Sequence, residues 1–123
     1  MPPRHTHPAW WSWAVREHEL TAETILVLLT LCEHGDDEWL CEQSERNIAQ
    51  NVGLARMTVR KALARLVEIQ AIVELGRRNV RTPQRYRVSP SRPPTAAQIR
   101  MLATTASRRA VIGPDGGWLV AAE

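Results

Sequence analysis

The chain has 123 residues, a length that suits one globular domain with short appendages and excludes a protein of several large domains. Its apolar fraction of 44% is ordinary for a globular protein. The longest apolar run, around Ile25–Leu29, is too short to span a membrane, and no apolar stretch follows Met1–His5 as a secretory signal would require. We therefore expect a soluble cytoplasmic protein without a membrane partner.

The formal net charge of +3 is unevenly distributed along the chain. Every fully charged side chain from Glu17 to Glu45 is acidic, whereas nine arginines and lysines lie within Arg56–Arg87 against only two acids. A basic half suits a polyanionic partner such as nucleic acid. The alternative is a solvated charged face without a partner, which is disfavoured because the charges coincide with the helix pair described below.

Residues 1–12 are predicted to form an N-terminal tail, rich in proline and histidine at its start. Three tryptophans, Trp10, Trp11 and Trp13, cannot all face one core on a helix or a strand. Core packing is expected for Trp13 at least, and an outward-facing tryptophan would serve a dimer contact or cap the edge of the core. The histidines show no convergent ligand spacing, so no metal site is predicted.

The clearest helix is predicted over Thr21–His34, where apolar residues recur at helical spacing. Thr21 is a good N-cap because its hydroxyl can accept an amide hydrogen bond, and Gly35 is expected to end the helix. Cys32 and Cys41 are the only cysteines, and both lie in apolar surroundings. We expect two reduced and mostly buried thiols rather than a disulfide.

The centre of the chain has the spacing of a helix-turn-helix. Ser44 is expected to cap a helix over Glu45–Asn51, and a second helix is expected over about Ala55–Ile69. Ala49 allows the two helices to approach closely, and Gly53 permits the positive φ of a tight turn between them. The polar face of the second helix would meet phosphates and base edges in the major groove of DNA. This face carries Arg56, Thr58, Arg60, Lys61 and Arg65.

A β-hairpin is predicted directly after the second helix. Ala71–Leu75 begins in the core as a strand, and Arg85–Val88 alternates basic and apolar residues as a half-buried return strand does. Residues 76–84 between them form a basic loop that is rich in turn-forming residues. A further brief strand is expected at Trp39–Cys41.

The order of helix, short strand, helix-turn-helix and β-hairpin resembles a winged helix-turn-helix domain over residues 13–88. It looks most like the small winged-helix modules of bacterial, phage and plasmid proteins that regulate transcription, initiate replication or direct recombination. The likeness is carried by Trp13–Val15, Ser44–Ala49, Val52–Leu54, Thr58–Leu66 and Arg85–Val88. The implied fold is mainly α with a small β-hairpin wing (α+β), followed by a C-terminal appendage of a helix and a hairpin.

The resemblance implies contacts to double-stranded DNA from three places. The second helix of the pair, the recognition helix, would contribute Arg56, Met57, Thr58, Arg60, Lys61 and Arg65. The N-terminus of the preceding helix would contribute Ser44 and Arg46. The wing would contribute Arg77, Arg78, Asn79, Arg81 and Arg85, in part through the minor groove. Met57 would either touch a thymine methyl group or pack on the preceding helix.

Two positions depart from the pattern of the family. Ala55 stands where Ser or Thr often caps the recognition helix, which removes an acceptor worth about 1 kcal/mol. Gln70–Ala71 stands where many members have Gly at the end of that helix, so a non-glycine residue would take the strained left-handed conformation. Both departures concern local geometry and leave the predicted fold unchanged.

The segment after the hairpin is predicted to be a linker, residues 89–94, because prolines interrupt regular structure there. Thr95 and Gln98 have capping-box spacing for a helix from Ala96 to about Ser107, and residues 111–120 suggest a hairpin around a glycine-rich turn. Residues 95–123 are too few to fold alone, so we expect them to pack on the winged helix or on a second copy. A disordered tail is the alternative.

The sequence therefore predicts sequence-specific binding of double-stranded DNA, with transcriptional regulation as the expected role and a nucleoid-associated location. A homodimer would suit a palindromic site, although the sequence shows no coiled-coil heptads. A replication, partition or excisionase-type architectural role is an alternative, and a protein-interaction module is an alternative of another class. No catalytic set or phosphate loop is recognisable, so we expect no enzyme activity, cofactor, metal or small-molecule ligand.

Overall fold

The computed structural model of the chain describes residues 8–109. Five helices and three strands follow one another in this part of the chain, and the α+β architecture predicted from the sequence is confirmed. In chain order the elements are α1 (Trp11–Glu17), α2 (Ala22–Glu33), β1 (Leu40–Glu42), α3 (Glu45–Val52), α4 (Arg56–Glu68), β2 (Ile72–Arg77), β3 (Gln84–Val88) and α5 (Ala96–Arg109).

Helix α2 forms the centre of the core. The hydroxyl of Thr21 accepts a hydrogen bond from the backbone N–H of Thr24 at 3.2 Å, so the predicted N-cap is confirmed. Val27, Leu28 and Leu31 are completely buried on one side of the helix. Because α2 packs against both α3 and α4, its apolar side holds the two helices of the predicted helix-turn-helix in place.

The turn between α3 and α4 has the predicted geometry. The hydroxyl of Ser44 accepts a hydrogen bond from the N–H of Asn47 at 3.1 Å and caps α3. At the other end of α3, Gly53 has a φ of 71° and donates its N–H to the carbonyl of Ala49 at 2.9 Å. A Cβ atom at Gly53 would meet nothing within 4 Å, so the glycine is needed for its backbone conformation and not for space.

Helix α4 has the two unusual ends that the sequence predicts. Ala55 is its N-cap and offers no side-chain acceptor to the first amides. Past the C-terminal end, Gln70 adopts a φ of 63°, the left-handed conformation that glycine usually supplies. Between these ends, Val59 and Leu66 are completely buried, and their burial on the rest of the core stabilises the uncapped helix.

The predicted hairpin is part of a three-stranded antiparallel sheet in the order β1-β3-β2. Strand β3 lies in the middle, with Arg87 opposite both Leu40 of β1 and Val73 of β2. The register between β2 and β3 shifts between Glu74 and Gly76, which marks a β-bulge. The brief strand predicted around Trp39–Cys41 is therefore confirmed, and it pairs with the return strand of the hairpin.

The three N-terminal tryptophans all contact the core, but they are buried to different extents. Trp10 is buried, with 6% of its surface exposed, and Trp13 is half-buried and packs against the core, so the predicted core packing of Trp13 is confirmed. Trp10 precedes α1 and faces the core together with the fully buried Ala14, whose small side chain leaves room for the indole. The ring of Trp13 lies under the guanidinium of Arg92 at 3.9 Å.

The packed part of the chain consequently begins before the boundary at residue 13. Helix α1 starts at Trp11, inside the segment assigned to the N-terminal tail. Pro8 is buried as well, and its carbonyl accepts a hydrogen bond from the N–H of Trp11 at 3.1 Å. The histidines of the predicted tail, His5 and His7, lie outside the described residues.

Both cysteines are free and buried, as the sequence predicts. Burial raises the pKa of the Cys32 thiol to about 12, with a smaller contribution from Cys41. Burial likewise raises the pKa of Cys41 to about 12, and the negative charge of Asp36 adds to the shift. Both thiols are therefore protonated and unreactive at neutral pH.

The chain divides between Pro93 and Pro94 into two compact units, and α5 belongs to the second. The predicted capping box is present, because the Gln98 side chain accepts the N–H of Thr95 at 2.8 Å and the Thr95 hydroxyl accepts the N–H of Gln98 at 3.1 Å. Met101 and Leu102 are exposed on this helix. The predicted hairpin over residues 111–120 lies outside the described residues.

Candidate nucleic-acid interface

The buried residues of α4 determine which of its residues face solvent. Successive residues turn by about 100° on a helix, so the burial of Val59, Leu63 and Leu66 places Met57 and Lys61 in the middle of the opposite face. Met57 is 55% exposed, so more than half of its side-chain surface is open to a ligand. Lys61 is also exposed. The remaining polar residues of α4 lie on two flanks of this face.

On one flank, Arg56 and Arg60 share a single carboxylate, that of Glu45 at the start of α3. Arg60 donates from Nε to Oε1 and Oε2 at 3.3 and 3.2 Å, and from Nη2 to Oε1 at 3.1 Å. Arg56 donates from Nε to Oε1 at 3.4 Å. The hydrogen bonds from Arg60 contribute most to holding the pKa of Glu45 below its usual range, so this carboxylate is ionised at neutral pH.

This flank opens into a groove of about 350 Å³ between the recognition helix and the wing. The start of α3, the exposed side of α4 and the two strands of the hairpin all border it, so four predicted DNA-binding residues lie around one depression. The lining consists of Ser44, Glu45, Arg56, Arg60, Glu74, Arg77, Pro83, Gln84 and Tyr86.

On the other flank, Thr58, Lys61 and Arg65 border a second depression of about 330 Å³, which faces the start of α2. Arg65 is held there by the fold: its Nη2 donates to the backbone carbonyl of His18 at 3.0 Å, and its Nη1 is paired with Glu68. Because these contacts connect α4 to the segment between α1 and α2, Arg65 has a structural role in addition to its predicted contact with DNA.

The wing carries one bidentate ion pair. Arg78 donates from Nε and Nη2 to the two carboxylate oxygens of Glu42, both at 2.7 Å, and so ties the loop after β2 to strand β1. The hydrogen bonds from Arg78 are the main cause that lowers the pKa of Glu42. Arg78 remains 58% exposed, so the outer side of its guanidinium is open to solvent.

The tip of the wing is shaped by Asn79. Its side-chain oxygen accepts the N–H of Arg81 at 2.8 Å, and its own N–H donates to the hydroxyl of Thr82 at 3.0 Å. These bonds form the turn that projects Val80 and Arg81 into solvent. Asn79 thus builds the loop on which the predicted contact residue Arg81 is displayed.

Arg85 also contributes to the fold. It is half-buried, and its Nε donates to the carbonyl of Gly76 at 3.1 Å, at the bulge in the hairpin. Gly76 has a φ of 80°, and the bond to its carbonyl joins the Arg85 side chain to the backbone next to the register shift.

Four of the predicted basic residues are exposed and form no ion pair within residues 8–109. This set of unpaired cations lies at the start of α3, on α4 and on the wing; it consists of Arg46, Lys61, Arg77 and Arg81.

Three acidic residues in this region, Glu42, Glu45 and Glu74, were not predicted as part of it. Glu45 alone would be assigned to the favourable N-terminal end of α3, where a carboxylate interacts with the helix dipole. Its pairing with Arg60, 15 residues later, depends on the angle between α3 and α4. No local sequence pattern indicates this contact.

The comparison with protein families gives a match to a family described as a helix-turn-helix domain, over residues 18–69. This stretch contains α2, β1, α3 and α4, and the wing follows it directly. No curated protein and no solved structure gives a match. Residues 18–69 therefore match a helix-turn-helix domain, and the predicted resemblance to winged helix-turn-helix proteins is confirmed.

A helix-turn-helix domain indicates DNA binding, and domains of this family are typically not enzymes. Among the described residues, no three or more His, Cys, Asp or Glu side chains gather in a way that could hold a metal ion. Over the same residues, no helix is both long and apolar enough to cross a membrane.

Proposed function

We propose that the protein binds double-stranded DNA in a sequence-specific manner, with α4 in the major groove and the wing along the neighbouring backbone. The observation that carries this proposal is the groove in which the N-terminus of α3, the exposed side of α4 and the hairpin come together. The family match supports DNA binding, and the unpaired cations on the same three elements supply the charge that phosphates attract.

The middle of the exposed face of α4 is suited to contact bases. The Lys61 ammonium can donate to guanine O6 and N7, and the exposed Met57 side chain can contact a thymine methyl group. Thr58, Arg56 and Arg60 flank these residues and are within reach of neighbouring base edges or phosphates. Specific recognition is therefore assigned to the N-terminal half of α4.

The other two elements are suited to bind the backbone. In the first turn of α3, the exposed Arg46 supplies a positive charge for a phosphate. On the wing, Arg77, Arg78 and Arg81 are exposed and would contact phosphates or the minor groove. Arg65 and Arg85, which are held by backbone carbonyls, support the fold of this interface.

Transcriptional regulation is the role we propose for this binding, in a nucleoid-associated protein. A role in replication, partition or excisionase-type DNA architecture would use the same interface. The position of the bound site in the genome distinguishes these roles from transcriptional regulation. The symmetry of the selected DNA site shows whether the protein binds as a monomer or as a homodimer, because a homodimer requires two half-sites about one helical turn apart.

The experiment begins with selection of bound duplexes from a random pool by the wild-type chain. Lys61→Glu is then compared with Arg16→Glu, which makes the same charge change at an exposed position of α1. We expect Lys61→Glu to weaken binding of the selected duplex by about tenfold or more, and Arg16→Glu to change it by less than about twofold. Equal effects of the two variants would place the binding outside the face of α4.

A protein-interaction module is the second candidate, and exposed apolar side chains on the wing favour it. Val73 and Leu75 are 50% and 36% exposed on β2, which is an edge strand with open backbone groups. If this strand mediates self-association, sedimentation of the wild-type chain will show a dimer that Val73→Lys abolishes. If the protein binds DNA without such self-association, the wild-type chain and Val73→Lys will sediment alike.

A further inference from the structure

Glu45 is an acidic residue in the middle of the proposed DNA-binding surface, where a basic or neutral residue would be expected. Its carboxylate lies at the first residue of α3, next to Ser44, and borders the groove between recognition helix and wing. DNA phosphates repel a carboxylate at such a place. The helix dipole accounts for an acid at this position of the fold, and the effect of Glu45 on DNA binding depends on its partners, Arg56 and Arg60.

The contacts of Glu45 leave part of Arg60 available. A guanidinium has five N–H donors, and Glu45 engages the one on Nε and one on Nη2. The side chain of Arg60 is 55% exposed, so its remaining donors face solvent. The carboxylate thus fixes the plane of a guanidinium whose outer edge is still able to form two parallel hydrogen bonds with a guanine.

The ion pairs of Glu45 with Arg56 and Arg60 disfavour contacts between these arginines and DNA phosphates. A phosphate that takes Arg56 or Arg60 away from Glu45 leaves an ionised carboxylate without partners close to the DNA backbone. This cost is equal for every DNA sequence, because every duplex presents the same phosphates. A base contact that uses the outer edge of Arg60 and leaves Glu45 bound avoids this cost, and it is available only at the right sequence.

We propose that Glu45 is a specificity-determining residue, which positions Arg60 for a base and restrains Arg56 and Arg60 from sequence-independent phosphate contacts. This inference rests on the proposed DNA binding. A simple structural clamp between α3 and α4 is the competing explanation. Such a clamp would affect stability, and only slightly because the ion pairs are exposed, but it would not affect the ratio of affinities for two duplexes.

The test is Glu45→Gln in the full chain, which keeps the shape of the side chain and removes its charge. Binding is titrated with the selected duplex and with a scrambled duplex at two salt concentrations. Loss of one negative charge is equivalent to about one more neutralised phosphate, which corresponds to about a five- to tenfold gain for the scrambled duplex at about 0.1 M salt. We expect affinity for the selected duplex to stay within about twofold or to fall, because Arg60 loses its orientation.

Glu68→Gln is the control, since Glu68 is likewise an acid paired with an arginine of α4, Arg65, but near the other end of the helix and more exposed than Glu45. It should leave the ratio of the two affinities unchanged. A double-mutant cycle of Glu45→Gln with Arg60→Gln adds a second readout. If Glu45 acts through Arg60, its substitution will have a smaller effect on the ratio once Arg60 is absent.

The outcomes separate this inference from the proposed function. If the wild-type chain selects no duplex, the proposed function is wrong and the inference falls with it. If the wild-type chain selects a duplex but Glu45→Gln changes both affinities by the same factor, or neither, only the role of Glu45 is overturned. Circular dichroism of each variant confirms that the compared proteins are folded.

Discussion

The indole Nε1 of Trp10 donates a hydrogen bond to the backbone carbonyl of Ser89 at 3.0 Å, across 79 residues of sequence. The bond connects the chain just before α1 to the chain just after β3, and the N–H of Ser89 in turn donates to the carbonyl of Ala71 at 2.8 Å. These two hydrogen bonds thus connect the residue before α1, the residue after β3 and the residue before β2.

Trp10→Phe should therefore lower the free energy of unfolding by about 1–2 kcal/mol, because the substitution keeps a buried ring but leaves the Ser89 carbonyl without its donor. Urea denaturation measures the change. Trp13→Phe is the control, since the ring of Trp13 is half-buried and a phenyl ring can still lie under Arg92. An equal loss in both variants would mean that ring volume, and not the hydrogen bond, accounts for the effect.

Gln70→Gly should stabilise the fold by about 0.5–1 kcal/mol. The left-handed conformation of Gln70 costs about 1–2 kcal/mol for a residue with a Cβ atom, and part of the gain is offset by the greater freedom of glycine in the unfolded chain. Gly53→Ala is the reverse test at the other left-handed position. It should destabilise by a similar amount, because the new methyl group meets nothing within 4 Å and only the backbone is strained. A loss of stability in Gln70→Gly would contradict this account.

The two wing arginines Arg81 and Arg85 should respond differently to substitution. Arg81→Ala should weaken binding of selected and scrambled duplexes alike and reduce the slope of log affinity against log salt by about 1, as expected for one lost phosphate contact. Arg85→Gln should mainly lower the free energy of unfolding, by about 1 kcal/mol, since the carbonyl of Gly76 loses a donor. The assignment of Arg85 to the fold fails if its substitution changes the salt slope as much as that of Arg81.

Because both thiols are buried, we expect the free energy of unfolding to fall at alkaline pH. The pKa values of Cys32 and Cys41 are raised to about 12, whereas the unfolded chain has thiols with a pKa near 9.0. Above about pH 9 the unfolded state releases protons that the native state retains, so the free energy of unfolding falls as the pH rises toward 12. Burial also raises the pKa of Tyr86 to about 12, which acts in the same direction.

Urea denaturation at about pH 8 and about pH 10 should show a loss of about 3 kcal/mol from the two thiols. In a chain with both Cys32→Ala and Cys41→Ala, most of this difference should disappear, whatever the effect on stability at neutral pH. An unchanged free energy of unfolding between the two pH values in the wild-type chain would show that the thiols are not desolvated in the native state.

The elements that the sequence predicts well are those with local signals. The hydroxyls of Thr21 and Ser44 cap the helices that follow them, and Gly53 supplies the left-handed turn. Each of these signals acts within four residues of its position, so it can be recognised without knowledge of the tertiary structure. The same holds for Gln70, whose strained conformation follows from the absence of glycine at the end of α4.

The features that the sequence did not predict depend on distant parts of the chain. Trp10 is buried more deeply than Trp13 because the segment at Ser89 passes beside it, whereas neighbouring tryptophans have the same intrinsic preference for the core. The positive face of α4 could be predicted from residue types, but its partial neutralisation by Glu45 could not, because this contact depends on how α3 crosses α4. Arg65 and Arg85 bind backbone carbonyls that no sequence pattern indicates.

The most direct test of the central claim is the ratio of affinities for the selected duplex and a scrambled duplex of the same composition, measured for the wild-type chain at two salt concentrations. Sequence-specific recognition by α4 predicts a ratio of about a thousand or more that persists as salt weakens both complexes. A ratio near one, with affinities that fall steeply and equally with salt, would contradict the account and reduce the basic surface to a nonspecific patch.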